Sequence, residues 1–138
     1  MRAPSWNLLA ASTGSDEVYR SDSTTNQSLG VFVAAASGGL DNPQGIAVGA
    51  DGNLYVASAA TNSILRYDGN TGASLGVFVG SGSGGLASPA GVAFGPDGNL
   101  YVSSFTSDAI LRYNGTTGTF IGVFVAAGPP KRALSFDA

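Results

Sequence analysis

Apolar and polar positions along the chain follow one pattern three times. In the middle copy an apolar run, Gly45-Ile46-Ala47-Val48, leads through the polar tetrad Ala50-Asp51-Gly52-Asn53 to a second run, Leu54–Ser58. Asp-Gly between two apolar runs is a hairpin signal, because both residues tolerate the backbone of a tight turn. A polar loop at 59–62 precedes a third run, Ser63–Tyr67. Asp68-Gly69-Asn70-Thr71-Gly72 then turns the chain into a fourth run, Ser74–Val79. A glycine-serine connection at 80–88 crosses to the next copy. The pattern predicts four antiparallel strands per copy, here lettered a to d.

Leu8, Leu54 and Leu100 recur every 46 residues, and 138 residues make three such repeats, at approximately 1–46, 47–92 and 93–138. The third copy predicts strands at 91–94, Leu100–Ser104, Ala109–Tyr113 and 119–125. The first copy keeps strands b (8–12), c (17–20) and d (29–33). It has no convincing strand a, since Met1-Arg2-Ala3 stands in that place.

Leu54-Tyr55-Val56-Ala57 and Val77-Phe78-Val79 are nearly continuous apolar runs, which implies strands covered on both faces. Sheets packed face to face around an axis meet that condition, whereas a sandwich leaves one polar face outward. A repeat of this length is also typical of propeller blades. The expected fold is therefore an all-β propeller with three four-stranded antiparallel blades per chain.

Pro43-x-Gly45-Ile46-Ala47-Val48 followed by Asp51-Gly52-Asn53-Leu54-Tyr55-Val56-Ala57 resembles the NHL repeat. So does Pro89-x-Gly91-Val92-Ala93-Phe94 followed by Asp97-Gly98-Asn99-Leu100-Tyr101-Val102. The resemblance implies a six-bladed ring used as an interaction platform. The family often has Asp after strand b and Arg opening strand c. Here Ser12, Ser58 and Ser104, then Glu17, Ser63 and Ala109, hold those places, so what the family builds from that pair is expected to be missing.

Three blades are half of such a ring. Each raw end would expose an apolar sheet face on the order of several hundred Å², which soluble monomers rarely tolerate. A two-fold homodimer completing one six-bladed ring is the expected remedy. The tail at 133–137 repeats the strand-a pattern of the third copy. It is expected to serve as the inner strand of blade one in a partner chain, with Leu8, Leu9, Ala133, Leu134 and Phe136 closing the dimer. The alternative is a piece of a longer propeller whose tail frays.

Composition narrows the chemistry. A net charge of −3 with six Lys plus Arg argues against nucleic acid, which needs clustered cations. No apolar run approaches the roughly 20 residues of a membrane span. The chain has no cysteine and no histidine. Disulfides, thiolate and imidazole metal sites, and Ser-His-Asp or Cys-His catalysis are excluded. The first residues carry no signal peptide, so export, which the sequence leaves open, would need one already removed.

Asp16, Asn62 and Asp108 are equivalent positions in the b–c loops, expected at the channel mouth. Doubled by a dimer they would present oxygen ligands of the kind calcium prefers. The simpler reading is that each bonds its own loop backbone. Glu17 adds a carboxylate beside Asp16, and Phe105 and Trp6 are candidates for stacking on a sugar or peptide. Arg20, Arg66 and Arg112 recur at one strand-c position; pairing with Asp22 or Asp68 is a better reading than an anion ring. Asp51-Gly52-Asn53 lacks the further acidic ligands of a calcium loop and reads as turn chemistry. The glycine-serine run at 80–85 lacks the Lys-Ser/Thr of a phosphate loop.

No residue is assigned a catalytic role, and the near-identity of copies two and three, 20 of 34 positions over 46–79 and 92–125, leaves little of the asymmetry an active site needs. The leading expectation is a non-enzymatic binding or scaffold module for an unidentified protein, peptide or carbohydrate. One alternative is a divalent-metal-dependent hydrolase or lactonase, like the similar gluconolactonase-type six-bladed propellers, with Asp16, Glu17, Asn62 and Asp108 as counterparts by location. The other is a lectin-like sugar binder.

Overall fold

The hairpin signals become strands in order. The computed structural model describes residues 7–137. Blade one holds β1 (Asn7–Ser12), β2 (Glu17–Asp22) and β3 (Gln27–Val33). Blade two holds β4 (Pro43–Val48), β5 (Leu54–Ser58), β6 (Ser63–Tyr67) and β7 (Ser74–Val79). Blade three holds β8 (Pro89–Phe94), β9 (Leu100–Ser104), β10 (Ala109–Tyr113) and β11 (Phe120–Val125). Each sheet is an antiparallel meander in chain order. Among the described residues blade one has three strands, with β1 at its inner edge. The start of the first copy, with Met1 to Ala3 and Trp6, lies outside the described residues.

Alternation along a strand sends neighbouring side chains to opposite faces. In β5, Tyr55 and Ala57 face blade three, where they pack with Leu100, Val102, Leu111 and Tyr113. Leu54 and Val56 face blade one, where they pack with Val18, Phe32 and Val33. The apolar cores therefore lie between blades, and β5 and β9 are buried along their whole length. The outer strands depart from the expectation that they too are covered on both faces: Val77 is 60 % exposed, and Leu29, Leu75 and Ile121 are also exposed. The rim is where neighbouring sheets have fanned apart, so on β3 and β7 only the far ends, Phe32-Val33 and Phe78-Val79, reach a core.

Inner strands approach closely around the axis. A Cβ on Gly45 of β4 would run into the carbonyl oxygen of Ala90 in β8, so glycine is required there. A Cβ on Gly91 of β8 would stand 2.7 Å from the carbonyl oxygen of Arg132 in the tail. The tail thus lies against β8 as β8 lies against β4, although it makes no sheet pairing among the described residues.

The two ends of the row of three blades expose apolar side chains. Leu8 is 63 % exposed, while its equivalents Leu54 and Leu100 are 1 % and 0 %. At the other end Val125 is 39 % exposed against 0 % for Val79. Tyr19 and Phe124 are exposed for the same reason.

Candidate functional site

The b–c loops turn on residues in the left-handed region: Asp16 (φ 56°), Asn62 (φ 53°) and Asp108 (φ 55°). Asn and Asp tolerate that conformation better than most side chains. Their side chains then reach the following blade connection. Asp16 Oδ1 accepts the backbone N–H of Asn42 at 2.8 Å, and Asn62 Oδ1 accepts that of Ser88 at 2.8 Å. These residues latch consecutive blades and are not gathered around one point. The Asp108 carboxylate accepts no hydrogen bond among the described residues; its backbone carbonyl instead accepts Lys131 Nζ at 3.0 Å. Glu17 accepts the Tyr19 hydroxyl at 2.8 Å. Among the described residues no three Asp or Glu side chains come together in a group able to hold a metal ion.

Phe105 is not a free stacking platform: the Arg132 guanidinium lies 4.1 Å over its ring. Leu9 packs at the margin of the core between blades one and two, whereas Leu8 and Phe136 are exposed. Leu134 is half-buried and Ala133 is exposed.

The recurrent arginines do not pair with Asp22 or Asp68. Those carboxylates accept backbone N–H groups of their own turns, from Thr24 and Thr25 and from Asn70 and Thr71. These N–H bonds hold the Asp68 carboxyl below the usual carboxylate range. Arg20 lies 5.1 Å over the Phe32 ring and Arg66 5.9 Å over that of Phe78. Arg20 Nε is buried without a hydrogen-bond partner among the described residues. Its blade has Leu9 where the others have Tyr55 and Tyr101, and those hydroxyls lie within reach of Arg66 and Arg112.

A cavity of about 570 Å³ opens between blades two and three on the hairpin side, lined by Asp51, Tyr55, Arg66, Phe94 and Thr116. Asp51 accepts the Asn53 N–H at 3.0 Å and the Tyr55 hydroxyl at 2.8 Å. Burial alone would raise its carboxyl, but these donors outweigh it and hold Asp51 below the ordinary value. At Asp97 the Tyr101 hydroxyl, at 2.7 Å, is the largest cause of the same lowering. Both turns are closed by their own side chains, as their sequence implied.

Two sets of residues escaped sequence reasoning. Ser58 Oγ accepts the Asp41 N–H at 3.1 Å and donates to the Asp41 carbonyl at 3.2 Å. Ser104 does the same with Ala87, at 2.9 and 3.2 Å. Serine therefore pins each connection to strand b at the position where the resembled repeat often has Asp. The second set seats the tail: Ser103 Oγ donates to the Arg132 carbonyl at 3.1 Å, and Phe136 meets Tyr101 edge-on at 4.8 Å. The recurrence of serine after strand b was the available signal for the first set. The second had none beyond the tail's likeness to strand a.

No protein-family model matches the chain, and no curated protein matches it. Solved structures do. The hydrazine synthase of Kuenenia stuttgartiensis matches with a TM-score of 0.72 at 21% identity, over 92% of this chain and 34% of that one. The WD40 repeats of RRP9 match with a TM-score of 0.67 at 17% identity, over 88% and 35%. Regucalcin from Agrobacterium tumefaciens, a calcium-binding protein, matches with a TM-score of 0.59 at 20% identity, over 85% and 39%. The chain spans little more than a third of the length of these proteins. At such identities the likeness shows the fold alone: the chain has a β-propeller fold. No helix among the described residues is long and apolar enough to cross a membrane.

Proposed function

We propose that this chain is a non-enzymatic binding module that works as a two-fold homodimer, two halves completing one six-bladed ring. The observation that carries the assembly is Leu8, 63 % exposed at a position where the other two blades are 1 % and 0 % exposed. Each bare end is a copy of half of the interface between blades two and three, so the surface that fits it is the other end of a second chain. The NHL-like pattern of blades two and three supports a ring that presents its loop face to a protein, peptide or carbohydrate.

The non-enzymatic reading is supported by the use made of the candidate ligands. Asp16 and Asn62 are engaged in latching blades, which leaves the Asp108 carboxylate alone of the three without a hydrogen bond among the described residues. A calcium titration followed by melting temperature tests it against the metal-dependent hydrolase. Ligands bound to the native state raise that temperature. No shift at millimolar calcium is expected; a rise of several degrees, with turnover of a lactone, would overturn it.

A further inference from the structure

Blades two and three are near copies, yet they part company where the tail touches blade three. Between 57–63 and 103–109 one position of seven is identical, Ser58 with Ser104. The replacements serve the tail. Ser103, where blade two has Ala57, binds the Arg132 carbonyl, and Phe105, where blade two has Ala59, lies under the Arg132 guanidinium. Asn62 accepts the Ser88 N–H, but the residue of the tail that corresponds to Ser88 is Pro130, which has no N–H to give. Lys131 reaches the Asp108 carbonyl instead. Blade three is thus specifically fitted to seat 131–136 where the next inner strand belongs.

A seated inner strand without a sheet and a sheet without an inner strand occupy opposite ends of one chain. We infer that the tail pairs antiparallel with β1 of a second copy, in the register that β8 keeps with β9. In that register Phe94 faces Leu100, Ala93 faces Tyr101 and Val92 faces Val102. Carried over, Phe136 stands opposite Leu8, Ser135 opposite Leu9 and Leu134 opposite Ala10. The pairing gives the backbone of β1 the partners that an open edge lacks and covers the Leu8 side chain. This rests on the two-fold ring: blades two and three separate β1 from the tail of its own chain.

Engineered cysteines test the register, since the chain has none of its own. Ala10→Cys with Leu134→Cys places two thiols directly opposite, within disulfide reach. Leu8→Cys with Leu134→Cys places them on a diagonal that is too long. The expected result is a covalent species of twice 13.7 kDa on a non-reducing gel for the first pair and not the second. Equal crosslinking of both pairs, or a disulfide within one chain, overturns the register. Absence of the crosslink in a protein whose solution mass is still that of a dimer overturns the strand exchange but leaves the ring. A monomeric mass for the unmodified chain overturns both. A chain ending at Gly128 gives an independent reading, expected to lose the dimer; retention of the dimer would contradict the exchange.

Discussion

Phe136 stands on Tyr101 as Phe94 stands on Tyr55. The ring centroids are 4.8 and 4.9 Å apart and the planes cross at 70° and 76°. A residue of the tail thereby reproduces a contact that elsewhere joins two blades. The Tyr101 contact lies within one chain, so Phe136→Ala weakens the dimer through the part of the ring that the seam covers, about 1 kcal/mol at each seam. With two seams per dimer the dissociation constant is expected to rise roughly 30-fold. Sedimentation across a dilution series checks this; an unchanged constant would mean that the ring plays no part in assembly.

Leu8→Lys puts a charge on the bare face of blade one. In an isolated half-ring the side chain reaches water, so the melting temperature of a monomer should hardly change. Across a seam the charge would be buried without a partner, which costs several kcal/mol. The expected outcome is a folded monomer, seen as normal circular dichroism with half the mass. A Leu8→Lys dimer of full strength would place the seam elsewhere.

The serine pin is a stability prediction. Ser104→Ala leaves the N–H and carbonyl of Ala87 without the hydroxyl that joins them to β9. An unmet buried polar group costs about 1–3 kcal/mol, so a loss of about 2 kcal/mol is expected in urea unfolding. Ser12→Ala should cost much less, because among the described residues the contact of Ser12 is with Ser15 and not with a connection between blades. Equal losses would contradict the assigned role.

Tyr67 donates to the Ser37 carbonyl at 2.6 Å, and burial pushes its hydroxyl up to about 12. An unfolded tyrosine ionises near 10. The native state keeps the proton where the unfolded state loses it. This contribution is therefore intact below pH about 10 and is lost as the pH rises through about 12. Tyr113, donating to Ser83 at 2.8 Å, is raised by burial in the same direction. Tyr67→Phe should lower stability by about 1 kcal/mol at neutral pH and flatten the loss between pH about 10 and 12. An unaltered alkaline slope, measured by urea unfolding at stepped pH, would rule the residue out as its source.

Much of the fold was legible because one signal was repeated. Asp51-Gly52-Asn53 and its copy fixed the register, and the strands that follow them, β5 and β9, begin and end where the apolar runs do. The outer strands misled, since Val77 looks like core in a sequence while the fanning of sheets, which leaves it exposed, is a property of the assembly. The arginines misled as well: an Asp two residues on suggested pairing, but Asp22 and Asp68 are engaged by N–H groups of their own turns. The serine pins were hidden because a serine at a strand end looks like loop filler. Of the candidate site, Asp16 and Asn62 proved to be latches. Their left-handed backbone and the partner N–H lie 26 residues apart in sequence, beyond what local pattern reveals.

Small-angle X-ray scattering at micromolar concentration tests the half-ring most directly, because forward intensity gives mass and the initial slope gives size. Twice 13.7 kDa and a radius of gyration of about 19 Å, the value for a compact particle of two chains, are expected. A particle of 13.7 kDa with a radius of about 14 Å would contradict the two-fold ring.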